Sequence, residues 1–100
     1  MGLNPNMLRK MQERLVKMQE DLGNETVEAT AGGGAIAIVM TGHQEVRSIK
    51  IDPAAVDPED LTMLEDMLIA AVNEAVKKSK DMAEKKMASI MGGVKIPGLM

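Results

Sequence analysis

The stretch from Thr26 to Asp52, TVEATAGGGAIAIVMTGHQEVRSIKID, constrains the chain most, because three short β-prone runs are separated by Gly32-Gly33-Gly34 and by Gly42-His43-Gln44-Glu45. In the middle run Ile36, Ile38 and Met40 alternate with Ala35, Ala37, Val39 and Thr41, the period of two that sends successive side chains to opposite faces of a strand. One face is strongly apolar and requires a cover. Glycine tolerates φ > 0, so both junctions can close tightly into an antiparallel meander, and Asp52-Pro53 ends the third run by removing a ladder donor. Val27, Ala29 and Ala31 share one side of the first run. Val46 has the opposite parity to Ile49 and Ile51, which implies either a bulge or burial of both faces of the third run.

Helical patterns flank the meander. Asn4 is placed to cap the first helix with Pro5 at its first position, and Gly23 ends it. Leu8, Met11, Leu15, Met18 and Leu22 recur at alternating spacings of three and four, a heptad seam that fits either a helix covering its own sheet or a helix packed on a partner chain. Downstream, Asp57-Pro58-Glu59-Asp60 predicts a second helix with Asp57 as cap and Pro58 at the first position. Leu61, Leu64, Leu68, Ala71 or Val72, and Ala75 carry it forward, and nothing breaks it before Gly92-Gly93. Such a helix is ~50 Å long at ~1.5 Å per residue, against ~20 Å for a strand. Its second half must overhang the sheet or meet another chain.

The expected fold is therefore α+β: an N-terminal helix, a three-stranded antiparallel β-meander and a long C-terminal helix. Residues 1–91 form a single domain, and the glycine- and proline-rich segment 92–100 is a flexible C-terminal tail. A core this small, with no Phe, Trp or Tyr among 100 residues and eleven methionines as filler, predicts a homodimer. With no cysteine, no signal-peptide pattern and no long apolar run, a cytoplasmic protein without a membrane partner is expected.

Enzyme chemistry finds no support in the residues. No nucleophile, base and orienter set or metal-ligand cluster is visible, Gly32-Gly33-Gly34 lacks the Lys-Ser/Thr of a phosphate loop, and the lone histidine, His43, sits in a turn. No cofactor and no small-molecule substrate is expected. Charge is informative instead. Residues 52–76 hold seven acids and no Lys or Arg, whereas residues 77–100 hold six lysines against two acids, a net +4 inside a chain of formal charge -3.

The parts taken together resemble the YbaB/EbfC family of bacterial nucleoid-associated proteins over nearly the whole chain. The resemblance rests on Ile49-Lys50-Ile51-Asp52-Pro53, Leu64-Glu65-Asp66, Ala71-Val72-Asn73-Glu74-Ala75 and the sequence from Lys86 to Gly93. It implies a homodimer with helical pairs projecting as arms, and a DNA-binding role at the nucleoid in its organisation or in gene expression. Relatives often carry a polar or basic residue where this chain has Ala37, which makes the sheet a poor contact surface.

The candidate DNA-binding residues are Arg9, Lys10, Arg14 and Lys17 on the first helix and Lys77, Lys78, Lys80, Lys85 and Lys86 on the last. Their charge suits phosphate contacts. Without aromatic side chains there is no platform for unpaired bases, so duplex DNA is the expected partner. No helix-turn-helix or zinc-finger spacing is present, and backbone contacts with weak sequence preference follow. The alternatives are that these lysines only solvate an exposed helix, or that the dimer is a scaffold binding other proteins through its acidic helix surface or apolar tail, with little DNA affinity.

Overall fold

A computed structural model describes residues 4–90 and has the expected order: α1 (Pro5–Asn24), β1 (Thr26–Ala31), β2 (Ile36–Thr41), β3 (Val46–Ile51), a short 3-10 turn (Pro53–Ala55) and α2 (Leu61–Ile90). The expected tail, 92–100, lies outside the described residues. The strands form one antiparallel sheet in the order β1-β2-β3. Ala29 faces Ile38 and Ala31 faces Ile36 across one ladder, and Ile38 faces Ile49 and Ile36 faces Ile51 across the other. Opposed residues point to the same side of a sheet, so one face gathers the apolar residues of all three strands.

The parity break in β3 is a bulge. Val39 pairs with Ser48 but Met40 pairs with Val46, so Arg47 is the extra residue, and its skip returns Val46 to the face of Ile49 and Ile51. The first turn uses its glycines as expected, with Gly32, Gly33 and Gly34 at φ 64°, 68° and 97°. The second does not: its positive φ falls on Gln44, at 63°. Gly42 serves close approach instead. Its N–H donates to the carbonyls of Leu22 at 2.8 Å and Glu25 at 3.1 Å, seating the end of α1 against the β2–β3 turn.

α1 begins as its sequence dictates, with the Met7 N–H donating to Asn4 Oδ1 at 2.8 Å and Pro5 in the first turn. α2 begins later than Pro58. The Glu59 N–H donates to Asp57 Oδ1 at 2.9 Å, closing a separate turn, and Asp60 takes over as cap by accepting the Met63 N–H at 3.3 Å. The run Asp57-Pro58-Glu59-Asp60 holds two potential caps three residues apart, and the chain uses the first for a turn and the second for the helix.

α2 covers β1 and β2. Ala71 and Ala75 are buried with Ala29, Ile36, Ile38 and Met40, and Leu64, Met67, Leu68, Val72 and Val76 pack around them. Small residues at Ala71, Ala75 and Ser79 let the helix axis approach the sheet closely. The buried Ser79 hydroxyl donates to the Thr41 carbonyl at 2.8 Å, so the polar residue in this seam is satisfied. β3 is left outside this cover. Val46, Ile49 and Ile51 lie on the same face as the core yet remain 47%, 48% and 42% exposed.

Candidate nucleic-acid interface

The first helix does not lie across the sheet. Its seam is buried only at its C-terminal end, at Met18 and Leu22, while Leu8 and Met11 are 45% and 48% exposed. What covers the lower seam is chiefly the end of α2: Met18 and Asp21 share a groove with Lys86, Ser89 and Ile90, and nearer the α1 start Met7 and Met11 share another with Ile90. The two helices therefore run antiparallel as a pair beyond the sheet. From Ser79, the last fully buried residue of α2, to Ile90 this overhang is ~17 Å at ~1.5 Å per residue. It is the projecting arm that the length of α2 requires.

Cations line this arm. Lys10 and Arg14 border the distal groove, and Arg14, Lys17 and Lys86 border the proximal one. Spacings of four and three residues place Lys10, Arg14 and Lys17 on one stripe of α1, and the antiparallel pairing brings Lys86 to that stripe from a residue far away in sequence. Asp21 is the acid among these lining residues. The groove edge is thus a row of four cations from two helices.

The other candidates are dispersed. Arg9 borders a separate depression on α1 with Glu13, Val16, Lys17 and Glu20. Lys78 extends to the sheet, donating to the Glu28 carbonyl at 2.9 Å. Lys85 borders a shallow depression with Asp81 and Glu84. Lys77 and Lys80 are exposed and leave α2 well away from the Ala71-Ala75-Ser79 seam, since residues one or two apart do not share a helix face. Lys86 itself pairs with Glu25, Nζ to Oε1 at 2.8 Å. With both side chains partly exposed, that pair contributes at most ~1 kcal/mol, and a phosphate can compete for the lysine.

Met7, Met11, Ser89 and Ile90 form the groove between the cations, and charge alone points to none of them. The upper seam of α1 was the available signal, because a heptad stripe longer than its cover leaves apolar residues at the surface. Arg47 was also unassigned. Its guanidinium donates to the Gly23 carbonyl at 3.0 Å, fastening the β3 bulge to the base of α1. Among the described residues no helix is long and apolar enough to cross a membrane.

The model of a family described as the YbaB/EbfC DNA-binding family matches residues 3–94. The chain is similar to proteins named "Nucleoid-associated protein" in three bacteria. It is 54% identical to that of Pelotomaculum thermopropionicum over 92 residues, covering 92% of this chain and 88% of the relative. It is 50% identical to that of Syntrophobacter fumaroxidans, covering 98% and 90%, and 52% identical to that of Moorella thermoacetica, covering 98% and 97%. The crystal structure of an uncharacterized protein from Helicobacter pylori has the same fold, with a TM-score of 0.77 at 18% identity, covering 91% of this chain and 100% of that one.

Proposed function

The chain belongs to the YbaB/EbfC DNA-binding family, and from that premise we propose that it is a nucleoid-associated protein that binds duplex DNA as a homodimer. The contacts are made mainly to the phosphate backbone by the two-helix arms, with weak sequence preference. The observation that carries this reading is the convergence of Lys10, Arg14 and Lys17 of α1 with Lys86 of α2 along one groove edge. Three exposed cations and the partly exposed Lys86 on a helical pair neutralise phosphates without reading bases, and the chain has no aromatic side chain to stack on an unpaired base.

Dimerisation is supported by the uncovered edge strand β3. Val46, Ile49 and Ile51 present a contiguous apolar strip on an edge strand beside the buried core, where a second copy continues the cover that α2 does not supply. Two copies present two arms. The acidic stretch from Asp52 to Glu74, which spans the segment before α2 and the first half of that helix, repels the duplex and leaves the arms as the approach side. Location at the nucleoid, with a part in its organisation or in gene expression, follows from such binding.

The test is a mobility-shift titration with duplexes of unrelated sequence. Lys10→Glu, Arg14→Glu and Lys17→Glu together weaken binding to all of them by at least ~100-fold, each lost phosphate contact reducing both affinity and salt sensitivity. Reversal of the dispersed Lys77 and Lys80 has a smaller effect. Equal affinity for the wild-type and the α1 variant, with helical content retained, refutes the arm as the site and favours the scaffold reading.

A further inference from the structure

The two ends of α2 carry complementary surfaces. Where α2 starts, beside the β1–β2 turn, Asp60 and Asp66 flank an open depression of about 440 Å³ floored by Gly32, Met63, Met67 and Ala70. Met63 is 55% exposed there. No Lys or Arg lies between Asp52 and Glu74 to neutralise it. Where α2 ends, the arm displays the opposite combination. Met7, Leu8 and Met11 are 52%, 45% and 48% exposed, and Lys10 and Arg14 stand beside them.

We propose that the depression at the start of α2 is a docking site for the arm tip of another copy of this chain. Met7 and Met11, four residues apart on one helix face, enter the apolar floor between Met63 and Met67. Lys10 and Arg14 meet Asp66 and Asp60 at the rim. Unbranched methionine on both sides suits such a contact, because it adapts to an irregular surface without requiring one fixed packing. The pairing joins unlike surfaces at opposite ends of the molecule, so it is heterologous. One copy's tip fills the next copy's depression, which leaves a free tip and a free depression to recruit further copies until the rotation closes a ring. It is therefore separate from the self-complementary contact assigned to β3.

Sedimentation velocity of the full chain, without nucleic acid, tests this and leaves the DNA reading untouched if it fails. In about 0.01 M salt, where the Debye length is about 30 Å, the mean mass rises with protein concentration above its value in about 1 M salt, where that length is about 3 Å. Asp60→Asn with Asp66→Lys abolishes the rise, the asparagine keeping the helix cap. Lys10→Glu with Arg14→Glu abolishes it too. Mixing these two variants restores one contact, between the intact arm of the first and the intact depression of the second, and gives assemblies of limited size. A chain carrying all four substitutions regains part of the concentration dependence, which misfolding would not produce. A wild-type mass independent of salt and concentration overturns the proposal. So does persistence of the rise in either variant, or a lower high-salt mass for the Asp60/Asp66 variant, which would assign the depression to the basic dimer.

Discussion

Gly42→Ala should loosen the root of the arm, and the structure sets the size of the effect. A Cβ on Gly42 would lie 2.7 Å from the Leu22 carbonyl oxygen, 2.8 Å from Leu22 Cδ2 and 3.0 Å from Leu22 Cβ. The nearest atom is backbone, so no rotamer change relieves it. The end of α1 must move off the β2–β3 turn, weakening the Gly42 N–H bond to the Leu22 carbonyl. Overpacking costs ~1–3 kcal/mol and the hydrogen bond ~0.5–1.5 kcal/mol, and restriction of the unfolded chain by alanine returns ~0.4–1 kcal/mol. The net loss is centred near ~2.5 kcal/mol, a fall of ~10–20 °C in Tm for a domain of this size. Gly33→Ala is the control. It has positive φ but nothing within 4 Å of the added carbon, so it bears only a backbone cost of ~1–2 kcal/mol, offset in part by the same unfolded-state gain. Far-UV circular dichroism melts at one fixed protein concentration compare the two, since an associating chain melts according to its concentration. A Gly42→Ala protein that melts no lower than Gly33→Ala would refute the close seating of α1 on the turn.

Ser79→Ala should cost only ~1 kcal/mol in the same melts, because the Thr41 carbonyl still accepts the Gln44 N–H at 3.0 Å; a loss above ~3 kcal/mol would contradict this. Ile49→Asp with Ile51→Asp should convert the protein to a monomer in light scattering while the β2–β3 pairing survives, and an unchanged mass would remove β3 from the interface. Glu25→Gln should alter stability by less than ~1 kcal/mol, as expected for a partly exposed pair. By releasing Lys86 it should also tighten duplex binding roughly two- to five-fold at low salt, the equivalent of ~0.5–1 kcal/mol. Weaker binding would show that Glu25 positions Lys86 rather than competing for it.

The sheet was legible because its signals are local. Alternation from Ile36 to Thr41, three consecutive glycines and Asp52-Pro53 each act within a few residues, and they give the strands and one turn. The parity of Val46 leaves a bulge and burial of both faces of β3 open, and only the pairing of Met40 with Val46 decides for the bulge. The start of α2 is ambiguous in sequence because Asp57 and Asp60 are both competent caps and nothing local ranks them. Gly42 looks in sequence like a positive-φ position, because the contact that requires glycine there, with Leu22, is between elements. The candidate interface was half visible. Lys10, Arg14 and Lys17 form a stripe by helical spacing alone, but Lys86 joins it only through the antiparallel pairing of α1 and α2. The separation of Lys77, Lys80 and Lys85 from that groove likewise depends on which side of α2 the sheet and α1 occupy.

The salt dependence of duplex binding tests the central claim most directly. Each copy places four cations on the groove edge, Lys10, Arg14, Lys17 and Lys86. A dimer engaging four to eight of them has a slope of log affinity against log salt of roughly -4 to -7, at about -0.9 per phosphate neutralised. Fluorescence anisotropy of a labelled duplex, titrated at several salt concentrations and repeated with an unrelated sequence, gives that slope. The account predicts the same steep slope for both sequences and a slope shallower by about 0.9 for every groove cation replaced and engaged. A slope near zero, or a steep slope that groove substitutions leave unchanged, would contradict it.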